Sequence, residues 1–210
     1  MLDLRTPVLP PELGERLTRE AYRRDFWARE GEIRDGGSWK LERRQHFEEV
    51  GSPSRDALSR GDWEEALRIF EERRADLAAK ERENELRGYV FHRARVVERP
   101  LTPYMQWQLH SFRQRAEFGE RIRMVPAELV AAAEEPGRLP DVTILGGHTL
   151  YHNQYSETGA PVGAVRYTDP EVVESWEHYI RALYAAGEDI ASYFEREVAP
   201  LPSPFAHGTE

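Results

Sequence analysis

Apolar and polar positions alternate over Tyr89–Glu98 and again over Glu120–Val125, and between these stretches they recur at helical spacing. In the first stretch Val90, His92, Ala94 and Val96 share one parity, and Phe91, Arg93, Arg95 and Val97 share the other. A period of two predicts strands. The second strand repeats the alternation through Arg121 and Arg123. Two such strands predict a sheet with arginines on one wet face and aliphatics on the other. Between them Thr102 is placed to cap a helix, with Pro103 at its first position. Met105, Trp107, Leu109, Phe112 and Ala116 form its apolar stripe, and Gly119 ends it. The centre of the chain therefore reads β-α-β.

The flanks extend this pattern. Residues 1–13 carry three prolines and predict an extended arm. Gly14–Gly31 has helical spacing at Leu17, Ala21, Phe26 and Trp27, and predicts an amphipathic helix docked on the body or on a second copy. Trp39–Phe47 predicts a short strand or an extended lead-in. Asp56–Gly88 predicts a helix pair or one long helix, with Asp62 as an internal N-cap and Gly88 as the C-cap. Pro126–Glu135 predicts a short helix. Val142–Leu145 and Thr149–Tyr155 flank Gly146-Gly147, a dipeptide suited to a two-residue hairpin turn with positive φ. Gly163–Tyr167 predicts another strand. Asp169 and Pro170 start a long helix that turns Val172, Val173, Trp176, Tyr179, Ile180, Leu183 and Tyr184 inward, and Glu188–Val198 continues it past Gly187. The sum is an α/β (α+β) fold: a mixed sheet of about five strands flanked by helices, with an N-terminal helical extension. The expected organisation is an arm and helix over 1–35, a single α/β domain over 36–198 and a flexible tail over 199–210.

Composition narrows the function classes. The chain has 210 residues, a net charge of −9 and no cysteine. Disulfides and thiolate metal sites are excluded, which suits a reducing cytoplasm. No apolar run approaches the roughly 18 residues of a membrane span, and the N-terminus shows no signal-peptide pattern. An acidic chain does not bind phosphate backbones through bulk charge, and no helix-turn-helix is legible, so no direct nucleic-acid partner is expected. On the N-terminal helix Arg19, Arg23, Arg24 and Arg29 alternate with Glu15, Glu20, Asp25 and Glu30, which argues against a nucleic-acid arm.

Arginine's planar fork suits carboxylates and phosphates. Arg93, Arg95, Arg121, Arg123 and Arg166 on neighbouring strands are the candidates for an anion pocket, walled by Tyr104, Trp107 and Tyr151. The alternative is that they pair with Glu98, Glu117, Glu120 and Asp141 on a solvated face. An enzyme would have to draw on scattered groups, of which His110, His152 and Glu117 are the acid/base candidates. His148 and His152 share a strand face but lie about 13 Å apart, too far for one metal. No metal and no cofactor are expected.

The segments PLTPYMQWQLH, AEFGERIRMVP, LPDVTILGG, VGAVRYTDP and LYAAGEDIASYF, with WKLERRQHF, GDW and RARVVERP upstream, resemble an actinobacterial family catalogued as domain of unknown function 6879. The resemblance covers about residues 39–195. It implies a setting in regulation or specialised metabolism beside helix-turn-helix regulators, and it carries no catalytic signature. More remotely, the element order is similar to half of a phospholipase-D-like domain. That superfamily works through an H-x-K-x4-D strand. The equivalent stretch, Leu139–Gly147, lacks the motif, and the resemblance implies fold without chemistry.

These readings lead to a cytoplasmic, non-catalytic regulatory or ligand-binding module. Its expected partners are a small anionic ligand or a protein such as a helix-turn-helix regulator, with no membrane. A homodimer through the N-terminal helix is a further expectation. The alternative is an enzyme of specialised metabolism with an arginine- and aromatic-lined pocket and a histidine acid/base.

Overall fold

A mixed sheet runs through the whole chain in the computed structural model, which describes residues 5–206. The ends of the predicted arm and tail, residues 1–4 and 207–210, lie outside the described residues. The strands are β1 (Glu15–Thr18), β2 (Gly36–Glu42), β3 (Tyr89–Val97), β4 (Arg121–Pro126), β5 (Val142–Leu145), β6 (Thr149–Tyr155), β7 (Pro161–Tyr167) and β8 (Glu188–Asp189). The sheet has eight strands in the order β1-β7-β6-β5-β2-β3-β4-β8, where about five were expected. The additional strands are mainly short edge segments. β1 follows a turn at Gly14 and pairs with β7, and β8 has only two residues, paired with β4. Neither is long enough to show a period in sequence. β8 also corrects the expected helix over Glu188–Val198, which is an edge strand followed by a shorter helix.

β2, β3 and β4 run parallel, and the other pairs are antiparallel. Parallel neighbours need crossovers. The first crossover is α2 (Pro53–Ser59), α3 (Trp63–Glu72) and α4 (Arg74–Arg87), three helices where one or two were expected. The second is α5 (Pro103–Glu117), and β4 runs on into the short helix α6 (Ala127–Val130). Asp62 accepts the Glu65 amide at 3.1 Å, Thr102 accepts the Met105 amide at 3.2 Å, and Gly88 ends α4 in the left-handed region at φ 61°. Gly146 and Gly147 make the β5–β6 turn at φ 56° and 71°. All of these follow from local sequence. His148 belongs to that turn rather than to β6, so the hairpin has three turn residues where two were expected.

The two sheet faces have different covers. Trp39, Leu41, Ala94, Val96, Ile144 and Leu150 point to the face packed by α7 (Pro170–Ala186), which contributes Val173, Trp176, Tyr179, Ile180 and Leu183. Asp169 caps α7 by accepting from the Glu171 and Val172 amides at 3.0 and 3.1 Å. The described part of the N-terminal arm runs along this side, where Val8 accepts a hydrogen bond from the Trp176 indole at 3.3 Å. The opposite face has two separate covers. Phe112, Leu109, Met105, Ile122, Met124 and residues of α3 and α8 (Ile190–Glu197) pack one end. α1 (Arg19–Glu32) lays Tyr22 and Phe26 over Leu145, Tyr151 and Ala164 at the other. Between these covers the floor of β2 and β3 remains partly open.

Candidate functional site

Strand register decides where each arginine points. His92 lies opposite Arg121 and Ala94 opposite Arg123, whereas Arg93 and Arg95 face Ile122 and Met124. Paired residues share a face. Arg121 and Arg123 therefore lie on the opposite face from Arg93 and Arg95. The expectation of a single arginine face is corrected, because pairing offset cannot be read from the alternation of either strand alone.

On the half-open face β2 contributes Lys40 and Glu42, which had not been singled out in sequence. Register places Lys40 opposite Arg93 and Glu42 opposite Arg95. Glu42 Oε1 accepts from Lys40 Nζ and Arg93 Nη1, each at 2.5 Å, and Glu120 Oε1 lies 2.6 Å from Arg93 Nη2. Glu120 Oε2 is 3.6 Å from Arg115. The chain Lys40–Glu42–Arg93–Glu120–Arg115 alternates in sign and ends in a cation on both sides. Arg95, fully buried, donates to Gln108 at 2.9 Å and to main-chain carbonyls, and its Nε stands 3.9 Å from Glu42 Oε2. That Oε2 has no hydrogen-bond partner in the protein. Burial pushes the Glu42 carboxyl up, but Arg93, Lys40 and Arg95 outweigh it and hold the pKa at about 2. Burial lowers Arg93, and Glu120 and Glu42 reverse this and raise it. For Arg95 burial prevails, and its pKa falls.

Above this floor is a cleft of about 350 Å³. α1 supplies Phe26, Trp27 and Glu30 to one wall, and α4 supplies Leu77, Lys80, Glu81 and Asn84 to the other. Tyr89, Phe91, Arg93 and Lys40 form the floor, and Arg115 and Phe118–Glu120 close the end. Gly119, at φ 86°, turns the chain out of α5 there. Burial keeps the Glu81 carboxyl above its ordinary pKa. Glu30 is itself bridged between Arg87 at 2.9 Å and Lys80 at 3.9 Å, so this wall too is bounded by cations. Lys40 keeps 22% side-chain exposure. The aromatic α1 wall over cation-terminated floor charges offers a planar anion both stacking and charge-assisted hydrogen bonds.

Of the ligand-binding candidates, Arg93 lines this cleft. Arg95 lies buried beside it. Tyr104 donates to Glu49 at 3.0 Å, and burial raises its pKa. Trp107 donates to Ser54 at 2.8 Å inside the helical layer. Arg123 reaches the carbonyls of Ala185 and Gly187, closing the end of α7. Arg121 projects from the α7 side of the sheet. Tyr151 donates to Asp25 at 2.7 Å, and Arg166 is 2.9 Å from the same carboxylate, which fastens α1 to the sheet. The acid/base candidates are dispersed. His110 sits between the rings of Trp63 and Phe194, and His152 faces the α7 side between Val142 and Val165. Burial lowers both histidines. Glu117 pairs with Arg113 and Arg74 on the surface.

Among the described residues no group of three or more His, Asp or Glu is arranged to hold a metal. No helix among them is long and apolar enough to cross a membrane. The family model described as a domain of unknown function, DUF6879, matches residues 24–195. The match spans the cleft, both crossovers and α7. No curated protein matches the chain.

Proposed function

We propose, for a chain that belongs to the DUF6879 family, a non-catalytic ligand-binding role in which the cleft between α1 and α4 holds a small planar anion. The observation that carries this reading is the charge chain in the floor. Three cations, Lys40, Arg93 and Arg115, share two carboxylates, Glu42 and Glu120, beside the aromatic wall of α1. An added anion would complete the alternation. Binding is favoured over catalysis because His110, His152 and Glu117 all stand outside the cleft lining. A ligand that bridges α1 and α4 would fix the two walls relative to each other. Such coupling suits a regulatory module that presents ligand occupancy to a protein partner.

Titration with 1-anilinonaphthalene-8-sulfonate, a planar aromatic anion, tests the role. Lys40→Met should weaken its binding about tenfold, the scale of one charge-assisted hydrogen bond. Binding of the uncharged analogue N-phenyl-1-naphthylamine should stay the same. Equal sulfonate affinity in wild type and variant would refute the reading. Circular dichroism of the variant establishes that the fold is retained.

A further inference from the structure

Trp27 has a second neighbourhood. Its indole, 57% exposed, borders the cleft on one side and a shallow groove with Arg19, Glu20, Arg23 and Arg24 on the other. Arg19, Arg23 and Trp27 are four residues apart and form one ridge along α1, a helical turn between successive side chains. Three of the four acids interleaved with these arginines, Glu15, Asp25 and Glu30, are committed elsewhere, and Glu20 stays in the groove. Asp25 is turned inward to Arg29 and Arg166, and Glu30 to Arg87 and Lys80. The groove therefore keeps a positive excess, three arginines against Glu20, and Arg19, Arg23 and Arg24 form no salt bridge among the described residues.

Glu20, in the first turn of α1 and four residues before Arg24, offsets only part of this charge. Like charges four residues apart oppose a helix, and cations in its first turns oppose the macrodipole. A bound anion would relieve both. We propose that the ligand is a nucleoside diphosphate, with its base held against Trp27 in the cleft and its phosphates on Arg23 and Arg24. This rests on the reading of the cleft as a ligand site, and it places the anionic groups at the α1 rim of the cleft and not on its Lys40–Arg93 floor. The cleft volume is in the range of small-ligand sites, and a base has the flat π-face that an indole stacks on. Glu20 lies one turn from Arg24 and would oppose a longer phosphate chain. The net charge of −9 disfavours a nucleic-acid polymer.

Calorimetric titration with ADP and with adenosine tests the proposal on wild type and on the Arg23→Gln/Arg24→Gln double variant. Both arginines are exposed, so the double variant should fold. ADP should bind wild type at least about tenfold more tightly than adenosine at low salt, and the double variant should lose that difference. It should still bind the aromatic sulfonate. Equal affinities for ADP and adenosine in wild type, or a difference that survives the double substitution, would overturn the nucleotide assignment. If the sulfonate binds in a Lys40-dependent way and ADP does not bind, only the nucleotide assignment falls. If neither binds, the ligand-binding reading of the cleft falls with it.

Discussion

Glu42→Gln should destabilise the protein by about 3–5 kcal/mol, the range for removing one partner from a buried ion pair. The carboxylate is buried with Arg93 and Arg95, and Lys40 closes on its other side. Without its charge, fully buried Arg95 loses its nearest carboxylate and Arg93 keeps only Glu120. That loss is a large part of the roughly 5–15 kcal/mol that holds a domain together. The wild type should show the same contribution as a pH dependence. The folded pKa of about 2 lies below the ordinary value of 4.5, so the stabilisation is complete above about pH 4.5 and is lost as pH falls through 2. Urea midpoints at pH 7, 4 and 2.5 measure this. The wild-type midpoint should drop toward that of the variant as pH falls, and a constant gap at all three would refute the assignment. The substitution also leaves Lys40 without its carboxylate partner under the cleft, so the folded variant should bind the aromatic sulfonate more tightly.

Trp176→Ala should cost a similar amount, about 3–5 kcal/mol, by a different route. The indole is 1% exposed at the centre of the α7 side and donates to the Val8 carbonyl. Removing it leaves a cavity and an unpaired carbonyl, and it frees the N-terminal arm. The cleft lies on the opposite sheet face and shares no lining residue with this core. Denaturant unfolding should therefore show a large loss, while sulfonate affinity of the folded protein stays within about twofold. A comparable fall in affinity would mean that the two faces are coupled.

The contrast between these sites parallels what the sequence made legible. Helix starts at Asp62, Thr102 and Asp169, the left-handed stop at Gly88 and the glycine hairpin follow from local chemistry, and the structure has them all. Which strands adjoin was not legible. β1 and β8 exist only because β7 and β4 offer free edges. The offset of β3 against β4 divides the arginines between two faces, although each strand alternates as its sequence says. The pairing of Arg93 with Glu120 was among the alternatives read from sequence, whereas its second partner, Glu42, required the parallel β2–β3 register. The cleft draws on α1, β2, α4, β3 and the end of α5, segments that only the two crossovers bring together. Lys40 carried one signal, its place beside Glu42 on the same parity of a short strand.

The chain contains five tryptophans, at positions 27, 39, 63, 107 and 176, and Trp27 is the one that lines the cleft. Each gives one indole N–H resonance in a proton–nitrogen NMR spectrum. Adding the aromatic sulfonate should shift the Trp27 resonance, assigned by Trp27→Phe, in proportion to occupancy, and should leave the Trp107 and Trp176 resonances in place. A Trp27 resonance that stays still at saturating sulfonate would contradict a ligand site in this cleft.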